Sequence, residues 1–387
     1  MSNIIIKKFG GTSLTDLNRV TYLIKAEVDR GYKVIVVVSA IADFTDQMIN
    51  KVSNFNYQGV LSEYDVVLSA GEQISCGLLT IALHSIGVIA RSWLAWQLPI
   101  ITDNLYSQSR IKKICTDNLK NSLFTDFSVA VVAGFQGLHN DRITTFGRGG
   151  SDISAVALAI AFNIKTCDIF TDIDGIYTAD PKIVSKARKL QSISYTEMLE
   201  ISSSGAKILH IRAVELAMKH DIKIKVLPTF QDTEGTVLVH EHEVLERYLV
   251  TGIVCNLNEA MLTLTDITND AEVLKRILDS NIKISMINCL KNLSFVVAKS
   301  DVATIEKLLS KNKNITINRN IARVSVIGIA VVSNAEVLLK IFKVLSENKI
   351  KMLAITVLEI KITILVKTRD AYTLVRALHT EYGLDIQ

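Results

Sequence analysis

Proline is scarce in this chain, at three of 387 residues. Alongside many isoleucines, lysines and asparagines, that scarcity reads as genome base composition and not as function. The five cysteines, Cys76, Cys115, Cys167, Cys255 and Cys289, never take a Cys-x-x-Cys spacing. No zinc site is indicated, and free thiols in a reducing compartment are expected. No block of like charge occurs and the net charge is only +4, which leaves no footprint for nucleic acid. No apolar stretch approaches the length needed to cross a bilayer, and no cationic leader precedes the apolar run Ile4 to Ile6. The expectation is a soluble cytoplasmic protein with neither a membrane nor a nucleic-acid partner.

What is present is ample material for cores. Hydrophobic residues make up 49% and charged residues 21% of a chain long enough for two or three domains. Up to residue 235, β-branched runs alternate with helical patterns. Strands are expected at Asn3–Phe9, Lys33–Val38, Asp65–Leu68, Ser128–Ala133, Thr166–Phe170 and Ile222–Leu227. Helices are expected at Asp16–Gly31, Gly71–Gly87, Ser107–Leu119, Asp152–Phe162, Tyr195–Ser202 and Lys207–His220. Asp141–Phe146 reads as a hairpin arm. The order predicts an α/β domain over 1–235 with a mostly parallel sheet. A polar stretch follows at 236–246, where His240 and His242 could suggest a metal but read as part of a solvated linker. Beyond it the chain repeats: Ala271-Glu272-Val273-Leu274 returns as Ala335-Glu336-Val337-Leu338. Two βαββαβ units are expected, at 247–318 and 319–387, with or without a ligand of their own.

The chemistry concentrates in loops. Gly147-Arg148-Gly149-Gly150-Ser151-Asp152 sets three glycines, a cation, a hydroxyl and a carboxylate immediately before an apolar helix pattern. Such a turn suits an anion, although an ordinary helix cap would use the same residue types. Lys8-Phe9-Gly10-Gly11-Thr12-Ser13 reads as a phosphate cradle without P-loop spacing. Further strands end in Ser39, in Ala70-Gly71-Glu72, in Gly134-Phe135-Gln136-Gly137 and in Thr171-Asp172, and in a parallel sheet these ends share one edge. Histidine and cysteine are missing from these loops, so nucleophilic or general-base catalysis has little support. Glycines, hydroxyls and cations are instead what phosphoryl transfer needs. A carboxylate acceptor would explain the missing base, since it is already ionised at neutral pH.

These residues resemble the aspartate kinases. The resemblance rests on KFGGTS at Lys8–Ser13, SAGE at Ser69–Glu72, GFQG at Gly134–Gly137 and GRGGSD at Gly147–Asp152. TDIDGIYTADP at Thr171–Pro181 and SGAKILH at Ser204–His210 complete it. It implies a three-layer αβα amino-acid-kinase domain followed by two ferredoxin-like ACT domains, which join copies into a homodimer or tetramer. It also implies ATP-dependent phosphorylation of the L-aspartate side-chain carboxylate, the first step towards lysine, threonine and methionine. Lys8 and Asp152 would be catalytic, Lys8 stabilising the transferring group and Asp152 orienting cations. Phe9, Gly10, Gly11, Thr171, Asp172, Tyr177, Lys182, Lys207 and Ile208, with Lys8, would bind ATP. Ser39, Thr45, Glu72, Arg148 and Ser151 would form the aspartate pocket, Glu72 facing the substrate ammonium. Mg²⁺ would arrive with ATP, since no dedicated carboxylate cage and no organic cofactor are indicated.

Three features depart from the family pattern. Lys182 stands where arginine is usual, and Ile211 where proline is usual. The loops Thr265–Asp270 and Ala330–Asn334 lack the Pro-Gly at which feedback amino acids bind, and the connection Asn288–Asn292 is short. Feedback regulation is therefore expected to be weak. Two alternatives remain at this stage: a kinase for a different acid, and a non-catalytic sensor built on the same domains.

Overall fold

A computed structural model describes residues 3–55, 60–244, 249–265, 270–280, 282–288, 292–309, 315–329 and 331–386. The chain divides into two compact units. The first comprises Met1–Ile176, Lys189–Leu199 and Lys207–Leu245. Its main sheet has eight strands in the order Ser192–Ser194, Thr236–Val239, Lys223–Pro228, Thr166–Thr171, Ile4–Phe9, Lys33–Val38, Val129–Ala133, Ala90–Trp93. All neighbours run parallel except Thr236–Val239 against Lys223–Pro228. Continuous Val/Ile runs form the centre because both sheet faces are covered: every residue of Val129–Ala133 is buried. Leu17–Asp29 and Leu61–Ser85 contribute Ile24, Cys76, Leu79 and Leu83 to one core with Val34, Val36 and Val38. Asp16 caps the first of these helices by accepting the Arg19 N–H.

Four expectations change here. Asp65–Leu68 is no strand; it lies inside the 25-residue helix Leu61–Ser85. The β-branched Val66-Val67 pair suggested a strand, but the surrounding helical periodicity prevails. An 18-residue window of that helix has a mean hydropathy of 1.6, long and apolar enough to cross a membrane by length and composition alone. Its buried face nevertheless carries Asp65, Ser69, Glu72 and Ser75, and it packs in the domain core. Ser107–Leu119 contains a strand, Ile111–Ile114, before the helix Asp117–Thr125. The stretch 236–246 opens with a strand of the main sheet and continues into the helical turn Glu241–Glu243. Within it, His240 and His242 stack on each other and His240 meets Asp221. The hairpin arm does form, as Gln136–His139 against Arg142–Thr145 in a separate four-stranded sheet.

The second unit comprises Tyr177–Arg188, Glu200–Ala206 and Glu246–Gln387. Two segments from before residue 235 therefore group with it. One sheet orders Ser285–Asn288, Leu293–Ala298, Glu259–Leu264 and Ile315–Asn318; the other orders Gly252–Asn256, Ile321–Ile327, Lys361–Lys367 and Ala354–Leu358. Gly252–Asn256 pairs antiparallel with Ile321–Ile327, so the first repeat is inserted into the second. Boundaries at 247 and 319 do not separate these sheets, because repeat sequence reveals elements but not which edge accepts a strand. Helices Asp270–Asp279 and Val302–Leu308 cover the first sheet, and Ala335–Glu347 and Ala371–Glu381 the second. A cavity of about 490 Å³ lies between the two sheets, lined by Met261, Met286, Phe295, Leu353 and Leu365 among others.

Candidate active site

The carboxyl ends of the central strands converge on one edge of the main sheet, where the loops are free to hold a ligand. Strand alternation separates the two lysines of Ile4–Phe9. Lys7 Nζ lies 3.1 Å from both Glu27 Oε1 and Asp168 Oδ2, a structural pairing. Lys8 points to the other face, where its Nζ sits 2.7 Å from Asp152 Oδ1; both side chains are largely buried. The loop beyond is tight: a Cβ on Gly11 would fall 2.5 Å from the Ala40 carbonyl oxygen, so only glycine fits. Gly10 donates its N–H to the Phe170 carbonyl (3.1 Å), and Ala42 donates to the Gly11 carbonyl (3.1 Å). The Phe9 ring is fully buried and stacks on Phe170 at 4.7 Å. It therefore belongs to the core, and only the Phe9 backbone faces the loop.

Asp152 stands in the first turn of Gly150–Ala161, a helix whose N-cap, Gly149, has φ +79°. Its Oδ2 accepts the N–H of His210 at 3.1 Å. The carboxylate thus bridges the Lys8 ammonium and a backbone donor at a positive helix end. Ser151, beside it, is buried against Gly134. Arg148 is exposed, with a guanidinium nitrogen 3.6 Å from Asp46 Oδ1. Thr45 precedes Asp46 in the helix Phe44–Val52, and Ser39 follows the strand Lys33–Val38.

Glu72 reaches this edge from Leu61–Ser85. It is 4% exposed, and its Oε1 accepts the Ala40 N–H at 3.0 Å. Its Oε2 is buried without a hydrogen-bond partner among the described residues. Burial pushes its pKa up to about 8, against the pull of the Ala40 hydrogen bond and the Lys8 charge.

The residues expected at the nucleotide fall into two groups. Thr171 donates its hydroxyl hydrogen to Asp172 Oδ1 at 3.0 Å at the end of Thr166–Thr171. Lys207 is exposed and Ile208 half-buried, just ahead of helix Ile211–His220. All four lie in the first unit. Tyr177 and Lys182 belong to the second unit, in Tyr177–Arg188. Ile211 takes the first position of its helix with His210 as side-chain cap, so the usual proline is replaced without loss of the helix start.

With this geometry described, comparisons with known proteins become informative. The amino acid kinase family profile matches residues 3–228, and an ACT-domain profile matches residues 324–382. An aspartokinase of Rickettsia felis is 40% identical, with 95% of this chain and 96% of that protein covered. The chain belongs to the aspartokinase family. An aspartokinase of Pseudomonas aeruginosa is 36% identical over 99% of this chain and 98% of its own. E. coli aspartokinase III, in complex with aspartate and ADP, shares the fold at a TM-score of 0.79 and 24% identity, with 98% of this chain and 99% of that one covered.

Three residues that touch these elements escaped the sequence reading. His210 was quoted only as part of a motif, although its backbone N–H holds Asp152. Asp65 and Arg212 were given no role. A carboxylate on the apolar face of a long helix is the signal that could have singled out Asp65.

Proposed function

We propose that this protein transfers the γ-phosphoryl group of ATP to the side-chain carboxylate of L-aspartate, giving ADP and 4-phospho-L-aspartate. That is the first step towards lysine, threonine and methionine. The observation that carries the reading is the buried Lys8–Asp152 pair at the sheet edge, held at 2.7 Å next to the buried Glu72. An aspartate carboxylate oxygen attacks the γ-phosphorus, and the bond to the β–γ bridging oxygen breaks with its electron pair leaving on ADP. No proton is removed from the acceptor, which agrees with loops that hold donors and cations and offer no base. Lys8 neutralises charge on the transferring group, and Asp152 keeps its ammonium in place. Arg148 takes an acceptor carboxylate, Glu72 the α-ammonium, and Ser39, Thr45 and Ser151 supply hydroxyls.

The nucleotide is assigned to Gly10, Gly11, Thr171, Asp172, Tyr177, Lys182, Lys207 and Ile208. Mg²⁺ enters with ATP and neutralises phosphate charge; among the described residues no cluster of three His, Cys, Asp or Glu side chains offers a separate cage. The protein acts in the cytoplasm as a homodimer or tetramer joined through its ACT units. The test is ATP-dependent acyl-phosphate formation, trapped as hydroxamate, with aspartate, glutamate and acetylglutamate compared. Product with aspartate alone is expected, and absence of an aspartate-dependent product overturns the reading.

A further inference from the structure

Asp65 is fully buried on Leu61–Ser85, yet its hydrogen bonds all come from neutral donors. Its Oδ2 accepts the N–H groups of Ser107 (2.8 Å) and Thr145 (2.7 Å). Its Oδ1 accepts the hydroxyls of the same two residues, at 2.9 and 2.8 Å. One carboxylate thus ties two strands of backbone together. Burying a charge is costly, and an apolar pair of similar shape could hold the same packing without that penalty. What the carboxylate adds is direction, because four donors converge on two oxygens.

The tied segments lead straight into the acceptor turn. Thr145 ends its strand, and Gly147 begins the turn two residues later. From the opposite side Arg212 donates to the Phe146 carbonyl (2.9 Å) and to the Ser109 carbonyl (2.7 Å). Ser109 in turn donates its N–H to the Thr145 carbonyl at 2.9 Å. Arg212 also lies two residues after His210, whose N–H holds Asp152. The entry to Gly147–Asp152 is therefore gripped by a buried carboxylate on one side and a guanidinium on the other. Phe146 between them is 1% exposed, packed in the interior.

We infer that Asp65 and Arg212 are positioning residues for the acceptor, setting the Gly147–Asp152 turn so that Arg148 and Asp152 meet the substrate carboxylate and Lys8 in register. The inference rests on the assignment of that turn to aspartate. It separates the two substrates, because among the described residues the hydrogen bonds of Asp65 and Arg212 go to Ser107, Thr145, Phe146, Ser109 and His210 and not to the Gly10–Gly11 backbone.

The test compares Asp65→Asn, Arg212→Lys and Arg148→Ala by steady-state kinetics with each substrate varied. Asn keeps the shape of Asp65 and can keep an oxygen on the two N–H donors, but its N–H₂ then replaces the acceptor of the two hydroxyls, which must reverse their bonds, and the charge is lost. Misplacing a reacting group by an ångström costs on the order of a hundredfold. The kcat/KM for aspartate is expected to fall by about ten- to a hundredfold in Asp65→Asn, with the KM for ATP unmoved. Arg212→Lys, which can reach only one of the two carbonyls, is expected to fall less but with the same split. A lower Tm with an unchanged KM for aspartate would mean that Asp65 only stabilises the fold, and would overturn the inference. So would equal losses for both substrates. If Asp65→Asn does not fold, Thr145→Val removes a single hydroxyl bond and is read in the same way. An unaltered KM for aspartate in Arg148→Ala would fell the acceptor assignment itself, and the inference with it. An effect in Arg148→Ala but none in the other variants fells the inference alone.

Discussion

The two loops proposed for acceptor and nucleotide are built differently. The turn Gly147–Asp152, proposed for the acceptor, is made within the first unit, from glycines, a helix start and hydrogen bonds around Phe146. The loop Tyr177–Arg188, proposed for the nucleotide, is folded into the second unit. Ala179 and Val184 lie in that unit's core beside Val324, Leu374 and Leu378. Thr178 Oγ1 meets His379 Nε2 at 2.9 Å, Ile253 donates its N–H to the Thr178 carbonyl at 2.7 Å, and Arg376 donates to the Ile183 carbonyl at 2.8 Å. The turn proposed for the acceptor is thus held by contacts inside the first unit, from Asp65 and Arg212, while the loop proposed for the nucleotide is held by a helix roughly 200 positions further along. On the proposed assignment, a disturbance of the C-terminal helix is expected to reach ATP without reaching aspartate.

The largest effect should come where both ends meet. Lys8→Ala and Asp152→Ala are each expected to lose turnover by about a hundred- to a thousandfold while remaining folded by circular dichroism. Wild-type turnover in either variant would remove the shared centre on which the comparison depends.

Next comes Glu72, on the acceptor side only. Its raised pKa means that the ligand-free protein holds a proton there until the pH nears 8. A substrate ammonium needs the ionised form, so kcat/KM for aspartate should rise with pH up to about 8 and then level. Glu72→Gln should flatten that rise and raise the KM for aspartate. The sign for stability is opposite. The folded chain binds the proton more tightly than the unfolded chain, so this group's contribution falls as pH climbs from the ordinary carboxylate range towards 8. Thermal melts of the ligand-free wild type and Glu72→Gln across that range would show whether it does.

On the proposed nucleotide side, His379→Ala removes one of the hydrogen-bond partners of Thr178 and should raise the KM for ATP several-fold, about 1 kcal/mol for one neutral hydrogen bond. The KM for aspartate should stay constant. Equal changes in both constants would erase the distinction drawn above.

The smallest effect concerns feedback. Among the described residues no charged side chain lines the cavity between the two four-stranded sheets, and in the second repeat, where Ala330 lies outside the described residues, Val331, Val332 and Ser333 lead to the helix cap Asn334. The corresponding loop of the first repeat, at 266–269, and the connection 289–291 lie outside the described residues. Lysine and threonine are expected to inhibit weakly or not at all. Half-maximal inhibition at sub-millimolar concentration of either would show that the second unit answers to an effector as well as anchoring the nucleotide loop.

Legibility differed in the same way across the molecule. The parallel strands were readable because continuous Val/Ile runs occur where both sheet faces are covered, as in Lys33–Val38. Lys8, Gly11 and Asp152 were readable because glycine loops and helix starts are local events. Asp65 was not: beside Val66 and Val67 it resembled a strand, and its four donors lie more than 40 residues away. Nor was the placement of Tyr177–Arg188, whose motif reads as one continuous nucleotide loop although its second half packs with the distant C-terminal helix.

By itself, the sequence determined the kinase-type sheet, the repeated C-terminal units, the family and the residue types available for phosphoryl transfer. Periodicity, glycine turns and ordered motifs are properties of short stretches, and they survive without knowledge of the neighbours. Only the tertiary structure decided that Lys8 and not Lys7 faces Asp152, that Glu72 enters from mid-helix, and that Gly252–Asn256 completes the sheet of the later repeat. Each of those depends on which surface an element buries and against what. That choice is made by packing across long separations, where no local pattern carries the information.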